Sequence, residues 1–138
     1  MTEEVLAADP KLTVTVLSCL KHLGVNVILD DFGAGNSALA ILRQFPLEAL
    51  KIDRSLINGM LADRGAYDTV ELIILIAHKL KLKVIAKGIE TSKHWEHLRD
   101  SGCDLGQGYF FSQPLEPEAA SKLLRAGRLA PQTKTTGA

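Results

Sequence analysis

Five charged or amide side chains in this sequence sit at the ends of four apolar runs. Asp30 and Asp31 lie in Leu29-Asp30-Asp31-Phe32-Gly33 and Lys51 in Leu50-Lys51-Ile52-Asp53. Lys87 interrupts Val84-Ile85-Ala86-Lys87-Gly88-Ile89-Glu90-Thr91, and Gln107 lies in Gly102-Cys103-Asp104-Leu105-Gly106-Gln107-Gly108-Tyr109. Side chains two apart on a strand share a face. Asn26, Ile28 and Asp30 therefore share one, as do Ala49 and Lys51, Ile85 and Lys87, and Leu105 and Gln107. Each run ends one face in a polar group at its C-terminal end, where a curled parallel sheet builds its chemistry. Lysine among aspartates offers an ion pair. Two unit charges about 4 Å apart attract by ~4 kcal/mol at an effective dielectric near 20, before desolvation is subtracted. Lys87 is expected to serve Asp30 or Asp31 as a permanent counter-ion.

The elements that must position these groups alternate in type. Residues 5–23 read as a helix whose main part starts at Pro10 behind an Asp9 cap and ends at Gly24. Residues 25–29 form a β-branched run and read as a buried strand. Residues 32–36 read as a loop, Ser37 can cap a helix to about Phe45, and Pro46 forbids its continuation. Then come a strand at 49–52, an apolar helix at 69–80, a strand at 83–86 and a short helix at 92–99 with Trp95 as a core residue. A strand at 105–111 and a helix at 117–124 follow, and the tail from Arg125 has nothing apolar to bury and is expected to be mobile. This alternation predicts βα units and a parallel sheet, and strands so apolar call for cover on both faces. On the helix at 69–80, Val70, Ile73, Ile74, Ala77 and Leu80 form one stripe, which Leu72, Leu75 and Ile76 extend around the circumference.

A chain of 138 residues that is 46% hydrophobic suits one domain with a real core. Lysine plus arginine equals aspartate plus glutamate at 16 each, so no net field draws in nucleic acid or anionic lipid, and neither DNA, RNA nor membrane is expected as a partner. The longest apolar stretch, 72–77, is bracketed by Glu71 and by His78 and Lys79, too short to cross a bilayer. The first residues lack a basic start and an apolar cleavage-type stretch, which reads as cytoplasmic. Cys19 and Cys103 have no metal-type spacing and read as two reduced, mostly buried thiols. His22, His78, His94 and His97 fall on helix surfaces without convergent partners.

The four quoted stretches resemble the EAL domain, a family of cyclic di-GMP phosphodiesterases folded as a modified (β/α)8 barrel. The likeness runs from about Thr2 to Leu124 and is to the second half of that domain, since such a barrel takes about 250 residues. It implies an α/β fold, a partial (β/α)8 (TIM-type) barrel of about four parallel βα units preceded by a helix. This would occupy residues 1–126, with 127–138 as a disordered tail. It also implies that Asp30 is a metal-binding aspartate with Asp31 its neighbour, and that Lys51 contacts the attacking water or phosphate region. Gln107 becomes a site glutamine, and Asp31, Gln107 and Pro114 become substrate contacts. Lys87 stands where the family keeps a glutamate implicated in catalysis. The family's Glu-Ala-Leu motif, a metal-binding asparagine and a further glutamate would precede Met1, and Thr2-Glu3 resembles the end of that last motif. Ala34 and Asn36 replace a threonine and a tyrosine common in a loop that couples metal occupancy to dimerisation in the family.

An intact family site would use magnesium or manganese, and each such ion needs ~6 hard oxygen ligands, some from water and substrate. Two aspartates and an ammonium do not supply that set. The resemblance therefore implies a truncated, inactive EAL-like domain, no bound cofactor, and a role as an interaction or weak cyclic di-GMP-binding module. The alternatives are a metal-dependent phosphodiesterase that yields the linear dinucleotide once completed by an N-terminal half or a partner, and a gene fragment with no selected task. Half a barrel leaves open edges and an apolar interior, so a homodimer closing over it is expected. Plainer readings stay open: Asp30 and Asp31 could begin a turn, Lys51 and Lys87 could be solvated, Gln107 could satisfy backbone groups, and Glu90 could cap or orient the following helix.

Overall fold

Asp9 ends one helix and starts the next. Its carboxylate accepts from the Leu12 N–H at 3.1 Å, so α1 (Glu3–Ala8) gives way to α2 (Pro10–His22) with proline in the first turn, where its missing N–H costs nothing. The computed structural model describes residues 1–34 and 39–127. Asn36, Ser37 and the tail from 128 onward lie outside the described residues.

Among the described residues the remaining elements are β1 (Ile28–Phe32), α3 (Leu39–Gln44), β2 (Ala49–Ile52), α4 (Arg54–Gly59), α5 (Arg64–Lys79), β3 (Lys83–Lys87), α6 (Ser92–Asp100), β4 (Leu105–Gln107) and α7 (Pro117–Ala126). The four strands form one parallel sheet in sequence order, and Thr2 adds a single parallel bridge to Asp30 at the outer edge of β1. This is the expected α/β arrangement of about four βα units.

One face of the sheet carries the core. Leu29, Leu50, Ile52, Val84 and Ala86 are fully buried together with Leu17, Ile57, Val70, Ala77 and Leu98 from the helices. The other face is different: Ile28, Asp30, Lys51, Ile85 and Lys87 are only half-buried, and Leu105 and Gln107 are exposed. The expected cover on both faces is thus met on one. The expected stripe on α5 is likewise the inward one, because Val70, Ile73, Ile74 and Ala77 are buried while Leu72 and Leu75 face out.

Several boundaries differ from the sequence reading, each for a local reason. β1 starts at Ile28 rather than Val25, because Gly24 turns with φ 79° and the Val25 N–H goes back to the Leu20 carbonyl at the end of α2. α4 and the first turn of α5 were not anticipated. Asp53 accepts from the Ser55 N–H at 2.8 Å and Asp63 from the Ala66 N–H at 2.8 Å, so two N-cap aspartates start them. β4 ends at Gln107 instead of Phe111. At Gly108 a Cβ would lie 2.1 Å from the Ile89 carbonyl oxygen, so two backbones touch there and the chain turns away. Phe110 then bonds back to Ile89, and Phe111 packs edge-on against the half-buried Trp95 at 5.4 Å, which joins the core as expected. α7 runs to Ala126, past the expected end at Leu124.

His78, His94 and Cys19 depart from expectation, while Cys103 meets it. His94 is only 8% exposed, with Nδ1 3.0 Å from Thr91 Oγ1, and His78 Nε2 lies 2.9 Å from Asp104 Oδ2. Cys103 is buried, which pushes its thiol up to about 11 and makes it unreactive, whereas Cys19 is exposed.

Burial holds the His94 imidazole below its ordinary value of 6.5, with the Glu90 charge opposing and His97 assisting. The unfolded chain then binds the proton more readily, so stability should fall as pH drops through 6.5 and level off below the folded value. Urea melts from about pH 7 to about pH 5 measure this. His94→Asn should flatten that slope, and an unchanged slope would refute the assignment.

Candidate functional site

Adjacent residues on a regular strand point to opposite faces. Asp30 and Asp31 do not. Leu29 and Phe32 are both buried on the helix side although three apart, and the pairing of β1 with β2 shifts register between them. This bulge is made by Asp31 at φ 57°, the left-handed region that aspartate enters more readily than most residues. The Asp31 N–H is taken by Asp30 Oδ1 at 2.9 Å. Gly33 follows at φ 92°, where a Cβ would lie 2.4 Å from Leu56 Cδ1. Both carboxylates are thereby turned to the open face.

Lys87 meets them there. Its Nζ donates to Asp30 Oδ1 at 2.8 Å and to Asp31 Oδ1 at 2.5 Å. β1 and β3 flank β2, roughly 9–10 Å apart, so the lysine stem crosses over β2 to reach them. The Lys87 side chain is 25% exposed, Asp30 33% and Asp31 44%. Burial alone would raise the Asp30 carboxyl, but the Lys87 hydrogen bond, the Asp31 N–H and the charges of Lys87 and Lys51 outweigh it and leave it lowered. Hydrogen bonds to Asp30 and then Asp31 raise Lys87 against the opposing effect of burial. The expected ion pair is present, and it engages both aspartates.

The other expected site residues take different positions. Lys51 is half-buried in β2, in register with Ile85. Gln107 is exposed at the end of β4, opposite Lys87 in the ladder. Pro114 lies in an exposed segment beyond β4. Glu90 does not cap α6. Thr91 does, accepting from the His94 N–H, while Glu90 accepts from Arg54 Nη2 at 2.8 Å. Arg54 was not singled out from the sequence. Its stem covers Gly88, where a Cβ would sit 2.4 Å from Arg54 Cγ and the backbone has φ 76°. Only the adjacency of β2 and β3 links residues so distant in the chain.

A divalent ion does not fit this donor set. Among the described residues no three His, Cys, Asp or Glu side chains converge as ligands. The two carboxylates that do converge hold an ammonium, which repels a second cation. What the arrangement can do is pair charge internally and present cationic groups to an anion.

The EAL domain family profile matches residues 1–114. A Pseudomonas aeruginosa protein described as the cyclic di-GMP phosphodiesterase NbdA is 44% identical over 93% of this chain, which spans 16% of its length. The solved EAL domain of Mycobacterium smegmatis DcpA is similar at a TM-score of 0.87 and 36% identity, over 94% of this chain and 58% of that one. A manganese and cyclic di-GMP complex of Klebsiella pneumoniae BlrP1 aligns at 0.76 with 31% identity, over 82% of this chain and 29% of that one. Each relative is thus much longer than the part matched here.

Removing the ammonium should strand two neighbouring carboxylates. Lys87→Met is expected to cost about 1–2 kcal/mol, between the values for exposed and buried pairs. Asp30 is depressed below 3.8, so the pair's contribution is full above that pH and is lost as pH falls through the folded value. Lys87 is raised above 10.5, so the contribution is full below that pH and is lost as pH rises through the folded value. The difference in urea midpoint between the two proteins should therefore be flat from about pH 5 to about pH 9 and shrink at both extremes. Equal midpoints near neutrality would overturn the pairing energetics.

Proposed function

This chain belongs to the EAL domain family and is a fragment of that domain, and from that premise we propose that it is catalytically silent alone and serves as an interaction or weak cyclic di-GMP-binding module. The carrying observation is the Lys87 ammonium hydrogen-bonded to both Asp30 and Asp31. Two-ion phosphodiester hydrolysis uses dications to activate water and neutralise the scissile phosphate. On the resemblance, Lys87 stands in place of the catalytic glutamate, and the two carboxylates that would hold a dication already share an ammonium. Magnesium or manganese would have no adequate set of ligands in this chain.

Binding is a lesser demand. Cyclic di-GMP carries two phosphodiester anions, and Lys51 and Lys87 lie on the open face, with Gln107 able to hydrogen-bond a base or phosphate and Asp31 able to accept from a base N–H. Pro114 would line the outer part of such a site. The exposed strand ends support weak binding, since solvent competes for every contact.

The rival reading is an active cyclic di-GMP phosphodiesterase once a further half-domain or partner completes the site. The phosphodiesterase description of the 44% identical relative favours it. Chromatography of cyclic di-GMP incubated with the purified chain and manganese or magnesium separates the readings. The silent module predicts no linear dinucleotide above buffer, with retention of the cyclic ligand at micromolar to millimolar concentration. Chelator-sensitive turnover that scales with protein would overturn it.

The open face also needs a cover. A closed barrel of this class has eight strands and this sheet has four, so a second copy supplies the missing number. Its half-buried Ile28 and Ile85 and exposed Leu105 would be sequestered in such a homodimer. Light scattering after gel filtration should give twice the 15.0 kDa chain mass at micromolar concentration. A monomer would count against the dimer and leave the binding reading intact.

A further inference from the structure

We infer that the Lys87 ammonium is the resident cation of this site, tethered to the chain in place of a dissociable metal ion, so that exchanging this one residue for a carboxylate converts the site to divalent-cation binding. This deepens the reading above and rests on it for the comparison with the manganese-bearing relative.

Three features carry it. The bulge at Asp31 turns two neighbouring carboxylates to one face, an arrangement that repels itself unless a cation lies between them. Nζ of Lys87 occupies the bridging position, bonded to one oxygen of each carboxylate. Position 87 also lies at the end of β3, where a shorter acidic side chain would rise from the same face toward the same pair.

Charge decides which cation the site accepts. Asp30, Asp31 and Asp53 give −3, and Lys87 and Lys51 give +2, so the natural cluster stands at −1 and a dication would carry it past neutrality to +1. With glutamate at 87 the carboxylates give −4 and Lys51 +1, so a dication brings −3 down to −1. Three hard carboxylates completed by water match the needs of manganese or magnesium, which two carboxylates shared with an ammonium do not. The natural protein is thereby insensitive to metal concentration at a place where such sensitivity lies one substitution away.

The test is manganese titration of the full chain, followed by calorimetry and by the loss of free-ion paramagnetic resonance signal. The natural protein should show no micromolar uptake. Lys87→Glu should take up about one ion per chain, at least roughly tenfold more tightly, with a melting temperature that rises with manganese. Adding Asp31→Asn should abolish the gain. Lys87→Gln, which removes the ammonium without adding charge, should bind between the two and guards against a Lys87→Glu chain that does not fold. Uptake by the natural protein equal to that of the variants, or no gain in either variant, would overturn the inference. No nucleotide is present in this titration, so its failure is distinct from a failure to bind cyclic di-GMP.

Discussion

One ammonium holds two sequence-adjacent carboxylates on the same side of a strand, and the C-terminal end of the sheet is organised around that constraint. The Asp31 backbone must enter the left-handed region to bring the second carboxylate round, which disfavours it by roughly 1–2 kcal/mol. Like-charge repulsion adds to this. Lys87 offsets both by bonding to each carboxylate, while Asp30 also caps the Asp31 N–H. The pair is neither fully buried nor fully exposed, so neither the small value of a surface pair nor the heavy desolvation of a core pair applies. Lys51 adds a second positive charge felt by Asp30.

Strand periodicity and turn chemistry made much of this legible from the sequence. β2 was read to the residue, β3 to within one, and the Asp9–Pro10 junction was placed because a capping aspartate before proline has one ready explanation. The Lys87 partnership followed from charge type at strand ends. The bulge did not follow: alternation assigns Asp30 and Asp31 to opposite faces, and nothing local marks the exception apart from an Asp-Asp pair ahead of Phe-Gly. The Arg54–Glu90 pair was invisible for a different reason, since it depends on which strands are neighbours. β4 was overextended because the aromatic residues after Gly108 look like strand, whereas the close approach of the Ile89 backbone sends them into the core instead.

Alternation also explains how such a site can change while the fold persists. Leu29, Leu50, Val84 and Ala86 point to the helices and are fully buried, so their replacement would open cavities. Their neighbours Asp30, Lys51, Ile85 and Lys87 point to the other face and are only half-buried. The same four strands therefore carry the fold on one set of positions and the chemistry on the other. A TM-score of 0.87 at 36% identity to a solved EAL domain is what that division permits. Reversing the charge at position 87 leaves the helix-facing core untouched and acts only on the carboxylates across β2. The electrostatics of the strand ends can thus change with the sheet beneath them unaltered.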